Sequence, residues 1–436
     1  MSETGVSSEV LIDGFDHKGD GVARIDGRVI FVSGALPGER VTIGAIRKRR
    51  RHSVAAVQRV MAPSAARVIP ACRHFGTCGG CAMQHMAHPE QLNHKQQTLL
   101  DNLSRIGDVE PESVAAPIAA TPWGYRHKAR LGVRLVPKKG GVLVGFRERN
   151  NSYVTPLSEC HTLSPRLASL LPWLHELIAG LSIPDRIPQV EVAEGDNDCA
   201  LVLRHLDPLS ARDHIVLAQF GETWQLQIHL QPGGVESVHP LYPSSPVPLS
   251  YRIDEFDILI QFQPLNFTQV NPTVNRLLVG AAVKLLDPRA DESILDLFCG
   301  LGNFSLPIAR FGAQVTGIEG ETELVERARL NAATNRVDCA RFIAANLMDS
   351  SNWISNTHRD CVKLLLDPPR CGATEIVTGL DLPQLGRIVY VSCNPVTLAR
   401  DSAILVHQHG FRLRQAGIVD MFPHTAHIET VALFER

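Results

Sequence analysis

Two hydrophobic rhythms divide this chain. Up to about residue 262, apolar positions fall in short runs broken by Gly, Asp and Pro, which predicts strands joined by tight turns. From about 264 onward, apolar runs of strand length alternate with stretches of helical length. In the first part a short strand begins at Leu11-Ile12, and 22–25 and 29–32 flank Asp26-Gly27, a two-residue hairpin signal. Residues 41–43 and 52–60 supply two more strands. Five short strands in this space predict a small closed barrel of OB type, a common nucleic-acid platform. Further on, 131–136 and 142–146 bracket Lys138-Lys139-Gly140-Gly141, and 190–193 and 200–203 bracket 194–198. These hairpins predict an α+β unit.

The last part predicts an α/β fold. A strand at 294–297 enters Cys299-Gly300-Leu301-Gly302 and then a helix, and 314–319 ends on Glu319. Residues 342–346 end on Asn346, 362–366 lead into Asp367-Pro368-Pro369-Arg370, and 388–391 stop at Ser392-Cys393-Asn394-Pro395. In an open sheet of this kind, ligands bind at the carboxyl ends of the strands. The glycines let a ligand approach the backbone, and the helix that follows offers free N–H groups. Dinucleotide and S-adenosylmethionine sites share such a turn, and share an acid like Glu319 for the ribose hydroxyls. Ser305 in place of the third glycine of Gly-x-Gly-x-x-Gly weakens the pyrophosphate reading. Asn346 is placed to read an adenine edge, and the Asp-Pro-Pro loop tips the reading toward S-adenosylmethionine.

Composition changes this picture little. With 436 residues, 44% hydrophobic and 20% charged, and a net charge of -2, the chain reads as a globular protein of several domains and not as a simple polycation. The basic run Arg47-Lys48-Arg49-Arg50-Arg51 next to a barrel reads as a phosphate contact. Trp123-Gly124-Tyr125-Arg126-His127-Lys128-Ala129-Arg130 interleaves rings and cations, a pattern suited to stacking on RNA bases. No basic-then-apolar leader and no run of about 18 apolar residues is present, so a cytoplasmic location and no membrane partner are expected. Ten cysteines there read as ligands, nucleophiles or buried thiols.

Cys72, Cys78 and Cys81 follow a Cys-x5-Cys-x2-Cys spacing, with Cys160 a fourth candidate ligand. Four thiolates suit a zinc ion or a [4Fe-4S] cluster; the long gap and the distant fourth residue favour the larger centre.

The chain resembles the RNA uracil-C5 methyltransferases, specifically their iron-sulfur subfamily. The resemblance rests on Phe267-Thr268-Gln269-Val270-Asn271, Asp296-Leu297-Phe298-Cys299-Gly300, Asp367-Pro368-Pro369-Arg370, Ser392-Cys393-Asn394-Pro395 and the Phe422–Glu429 stretch, in that order. Residues 8–62 resemble the TRAM domain of RNA-modifying enzymes. The resemblance implies a Rossmann-like S-adenosylmethionine domain at 96–124 and 263–436, a TRAM barrel at 1–68, and a central α+β domain at 69–95 and 125–262. The central domain would carry the iron-sulfur cluster on Cys72, Cys78, Cys81 and Cys160. It also implies S-adenosylmethionine contacts by Gln269, Phe298, Asn303, Glu319, Asn346 and Asp367. Cys371 stands where the family more often has alanine.

Barrel, cluster and catalytic domain together point to the branch acting on 23S ribosomal RNA, expected to work as a monomer. In the implied chemistry Cys393 adds to uracil C6, C5 takes the methyl group, and Glu429 removes the C5 proton. Two other readings fit parts of the pattern: an amino-group methyltransferase using Asp-Pro-Pro-Arg, and a non-enzymatic iron-sulfur RNA sensor.

Overall fold

The computed structural model describes residues 8–50, 52–348 and 360–436; Arg51 of the basic run lies outside them. The barrel strands are hydrogen-bonded in the order Ser8–Leu11, Arg40–Ile43, Ser53–Ala62, Arg28–Ser33, Gly21–Ile25 and Gly14–Phe15. Asp26 and Gly27 take positive φ of 49° and 75°, the left-handed pair that a tight hairpin between twisted strands requires. Arg47 to Arg50 are exposed where a short strand, Arg47–Lys48, folds back on Ser53-Val54. Glu39 is fully buried. It accepts N–H bonds from Leu36 and Ser64 and a two-pronged ion pair from Arg67, which ties the barrel to the chain that leaves it.

The central unit is a six-stranded sheet running Gly141–Gly145, Lys128–Val136, Gln189–Glu194, Cys199–Arg204, Gln227–Gln231, His239–Tyr242. The helix Pro165–Ala179 packs Leu167, Leu170, Leu171 and Leu174 against it. A ribbon, Leu249–Ile253 with Ile258–Phe262, buries its apolar side in one core with the helix Pro272–Leu286.

The third unit is an eight-stranded sheet in the order Ala340–Ala344, Gln314–Glu319, Ser293–Leu297, Lys363–Leu366, Arg387–Ser392, Glu429–Glu435, Arg412–Val419, Ser113–Val114. The first five strands are parallel, and Glu429–Glu435 enters antiparallel between Arg387–Ser392 and Arg412–Val419. Strands covered on both faces are continuously apolar, as Ile388 to Val391 are.

The helix His88–Gly107 buries Gln91, Lys95, Leu99, Leu103 and Gly107, a stripe spaced by four. Its apolar end packs on the helix Pro395–His407, and Gly107 comes so close that a Cβ there would meet the Ala399 carbonyl oxygen at 2.6 Å. Its polar end reaches the loop before Glu429. Among the described residues, no helix is long and apolar enough to cross a membrane.

Candidate active site

Parallel strands deliver their carboxyl ends to one edge, and the candidate residues follow them there. Cys393 is the first residue beyond Arg387–Ser392, Asp367 the first beyond Lys363–Leu366, and Glu319 the last of Gln314–Glu319. Glu429 reaches the same edge because its strand runs the other way, so that its first residue stands where its neighbour's last one does. After Cys393, Asn394 caps the next helix, its side-chain oxygen accepting the Val396 N–H at 3.1 Å, and Pro395 begins it.

Gln269, Phe298, Asn303, Glu319, Asn346, Asp367, Cys393 and Glu429 all line one cavity of about 710 Å3. A second cleft of about 1130 Å3 is lined by barrel residues 15–18 and 20, by the cysteine loop at 79–83, and by Lys95, Arg126 and Asn394. Arg370, Cys393, Phe422, His427 and Ile428 line both spaces. Cys393 therefore stands at the doorway between a long open cleft and a deep chamber.

Burial pushes the Glu429 carboxyl up to about 7, with Arg370 the counterweight. Burial, and then the charges of Glu429, Asp296 and Glu319, hold Asp367 well above the carboxylate range. Burial, and then Glu429 and Asp367, push the Cys393 thiol up to about 11, which Arg370 opposes. A free cysteine would be a few per cent ionised at neutral pH, whereas at about 11 the fraction is about 10^-4.

The cofactor-side residues are partly engaged with the protein. Glu319 accepts N–H bonds from Gly300, Gly320 and Glu321 at 3.1, 2.6 and 3.2 Å. Asn303 exchanges bonds with Asn275 and accepts one from the Tyr251 hydroxyl at 2.9 Å. The Asn346 oxygen accepts the Met348 N–H, so what Asn346 offers a ligand is its NH2. Phe298 sits at φ 67°, a left-handed conformation that a bulky residue rarely adopts and that marks the sharp turn out of its strand. An acid, three amides and an aromatic ring around a chamber of this size suit an adenosyl amino acid.

The segment 123–130 serves differently from the sequence expectation. Tyr125 is only 5% exposed and its hydroxyl donates to the Pro423 carbonyl at 3.0 Å, while the Trp123 ring stacks on His424 at 3.8 Å. Tyr125 is thereby committed to the loop before Glu429, and half-buried Trp123 gives one face to it. Of this segment, Arg126 lines the cleft. Arg370, quoted in its motif but given no role, touches both spaces and donates to Nδ1 of His427 at 3.1 Å. Burial and the Arg370 charge lower that ring to about 4 and keep it neutral.

In the central unit, Cys78 and Cys160 pack against its core. Burial raises the thiols of Cys72, Cys78 and Cys81, the last two to about 11 and about 12. In all six pairs among these three and Cys160, one sulfur's charge acts on the other. Among the described residues no three ligand side chains converge as a single ion requires. A zinc ion needs its thiolates about 2.3 Å from one point.

The fold and the cavity at the strand ends define a Rossmann-like S-adenosylmethionine-dependent methyltransferase joined to a TRAM barrel. A solved structure, the Pyrococcus abyssi tRNA (uracil-54, C5)-methyltransferase in complex with S-adenosyl-L-homocysteine, shares this fold. It has a TM-score of 0.75 at 24% identity, over 98% of this chain and all of that one. The tRNA (uracil-5-)-methyltransferase family model matches residues 247–436, and the TRAM domain model matches 2–55. The 23S rRNA (uracil(1939)-C(5))-methyltransferase RlmD of Nitrosospira multiformis is 50% identical over 434 residues, 99% of either chain. That of Aromatoleum aromaticum is 51% identical over 428 residues, 98% of this chain and 99% of its own. The chain belongs to this RlmD family of 23S rRNA uracil-C5 methyltransferases.

Proposed function

We propose that this enzyme methylates carbon 5 of a uridine in 23S ribosomal RNA, in the cytoplasm and as a single chain, with Cys393 as nucleophile and Glu429 as base. The carrying observation is that Cys393 lies where the open cleft meets the chamber, with Glu429 and Asp367 beside it. RNA lies along the cleft, over the barrel and the cysteine loop, and one base leaves its stack to enter the doorway, which costs a few kcal/mol.

Carbon 5 of uracil is a weak nucleophile. Once its proton has passed to water, Cys393 Sγ bonds as the thiolate to C6, breaking the C5–C6 double bond and pushing its electron pair toward C5 and O4. S-adenosylmethionine, held by Gln269, Phe298, Asn303, Glu319, Asn346 and Asp367, would supply an electrophilic methyl group, its own sulfur keeping the electron pair of the broken S–CH3 bond. Glu429 then takes the C5 proton, the double bond re-forms, and the C6–Sγ bond breaks with the electron pair returning to sulfur. A carboxylate near 7 is matched to that task at neutral pH. Cys72, Cys78, Cys81 and Cys160 hold a [4Fe-4S] centre that takes no part in these bonds.

The test incubates the enzyme with S-adenosylmethionine and RNA carrying 5-fluorouridine at the target. Fluorine cannot leave as a proton does, so the adduct persists; it is expected on Cys393 by peptide mapping, and is lost in Cys393→Ala. An adduct elsewhere, or methylation by Cys393→Ala at the ordinary rate, overturns the reading.

A further inference from the structure

We propose that the cysteine loop positions the catalytic base through the backbone of His424. Ala82 and Met83 directly follow Cys81, and both their N–H groups donate to the His424 carbonyl, at 2.8 and 2.9 Å. His424 adopts φ 64°, a left-handed conformation that a residue with a side chain keeps only where its surroundings hold it. Those surroundings come from far along the chain. Gln91, fully buried, accepts the His424 N–H at 2.9 Å and meets its Nδ1 at 3.1 Å, and Trp123 stacks on the ring. On either side, Lys95 Nζ donates to the Phe422 carbonyl and Tyr125 to that of Pro423, both at 3.0 Å.

The same cysteine loop touches the other two units. The Gly79 N–H donates to the Arg147 carbonyl at 2.8 Å, and Arg149, whose N–H donates to the Thr77 carbonyl of the loop at 2.9 Å, reaches the Lys18 carbonyl of the barrel with its guanidinium at 2.9 Å. A Cβ on Gly19 of the barrel would come within 3.1 Å of the Ala82 methyl. The loop is thus wedged between barrel and central sheet on one side and the turn at His424 on the other. Moving it withdraws two donors from one carbonyl. The turn then relaxes toward an ordinary conformation, and Glu429, five residues on, loses its placement. Gln269, Phe298 and Glu319, on other elements, keep theirs. His424 touches no reacting atom in this scheme; it is a positioning residue.

The inference rests on Glu429 being the base, and the experiment has two arms for that reason. In the first, His424→Asn and His424→Val are compared in the full-length, anaerobically purified enzyme, since asparagine tolerates the left-handed region and a β-branched valine does not. With ordinary uridine RNA and S-adenosylmethionine, His424→Val is expected to accumulate methylated covalent adduct that resolves at least about tenfold more slowly than wild type, with cofactor Kd changed less than about twofold. His424→Asn should resolve it within about threefold of wild type. Equal impairment of both, or slow turnover without adduct, overturns the proposal.

The second arm reads the linkage without the base. Hydrogen exchange at 422–427 in Cys81→Ser is compared with that at 388–391. Faster exchange at 422–427 alone supports the linkage; an equal rise in both, or none, overturns it. Should Glu429→Gln leave no adduct while the second arm succeeds, the base assignment fails and the linkage stands.

Discussion

Thr430 Oγ1 donates to the Ser392 carbonyl at 3.0 Å across a pair of strands in which the two residues face each other in register. One step beyond this pair, the strand that carries Ser392 ends at Cys393, and the strand that carries Thr430 begins at Glu429. Both residues of the pair are buried, so a closed, dry ladder carries the proposed nucleophile and base side by side, and the turn at His424 completes the hold on the base. Catalytic geometry built on strands tolerates little drift, which suits a reaction whose two halves occur at adjacent carbons.

Glu429→Gln removes the proposed base and keeps the shape. Methyl transfer should proceed and release should stall, with covalent RNA adduct accumulating on denaturing gels and turnover falling by roughly 10^2 to 10^4-fold. The same change should stabilise the fold at pH 8. Burial raises the Glu429 carboxyl from an ordinary 4.5 to about 7, so the folded state binds that proton more tightly than the unfolded chain does. Wild-type stability from this group therefore declines as pH rises from about 4.5 to about 7 and is level above. The gain in the variant is on the order of ~3 kcal/mol at pH 8 and vanishes below about pH 4.5. Thermal melting at both pH values reads it.

Resolution of a preformed adduct should follow the ionised fraction of Glu429. Its rate is expected to rise about tenfold per pH unit below 7 and to level off above. Rapid-quench kinetics on methylated adduct measure this, and a flat profile between pH 5.5 and 7 would contradict the assignment.

Lys95 is 1% exposed and its Nζ lies 2.7 Å from Asp420 Oδ1, whose other oxygen meets His88 at 2.7 Å. Although burial opposes it, His88 and Lys95 hold Asp420 ionised. Lys95→Met strands that charge and should lower stability by about 3–5 kcal/mol in denaturant titration, whereas Lys95→Met with Asp420→Asn should recover much of the loss.

Thiol chemistry should separate two neighbours. Cys371 is exposed; Cys393 is half-buried with its thiol pushed up to about 11. Iodoacetamide at pH 7.5 is expected to label Cys371 at least about tenfold faster, by mass spectrometry of the two peptides.

Much of the fold was legible because parallel strands buried on both faces leave unbroken apolar runs, and the candidate residues Glu319, Asp367 and Cys393 sit where those runs stop. The Asp26-Gly27 turn was equally open to reading, since few dipeptides accept two left-handed residues. What stayed hidden was polar and non-local. Gln91 and Lys95 lie on the buried stripe of an amphipathic helix but look like solvent-facing residues, because the groups that satisfy them are more than 300 positions away. Tyr125 misled for a similar reason: a ring beside cations has the same pattern whether it meets a base or, as here, a carbonyl of its own chain. The strong upward push on Cys393 needs the burial and the two acids together, and neither is written in Ser-Cys-Asn-Pro.

The insertion of Glu429–Glu435 between two strands made earlier has a consequence for synthesis. A nascent chain released as far as Asp420 has its thiol, its methyl-donor chamber and a slot in the middle of its sheet, with Glu429 missing from beside the sulfur. Such an intermediate exposes two unpaired edges facing each other. Until the missing strand slides in, it is both inert and prone to capture by any extended segment, so the step that arms the enzyme is also the one that seals it.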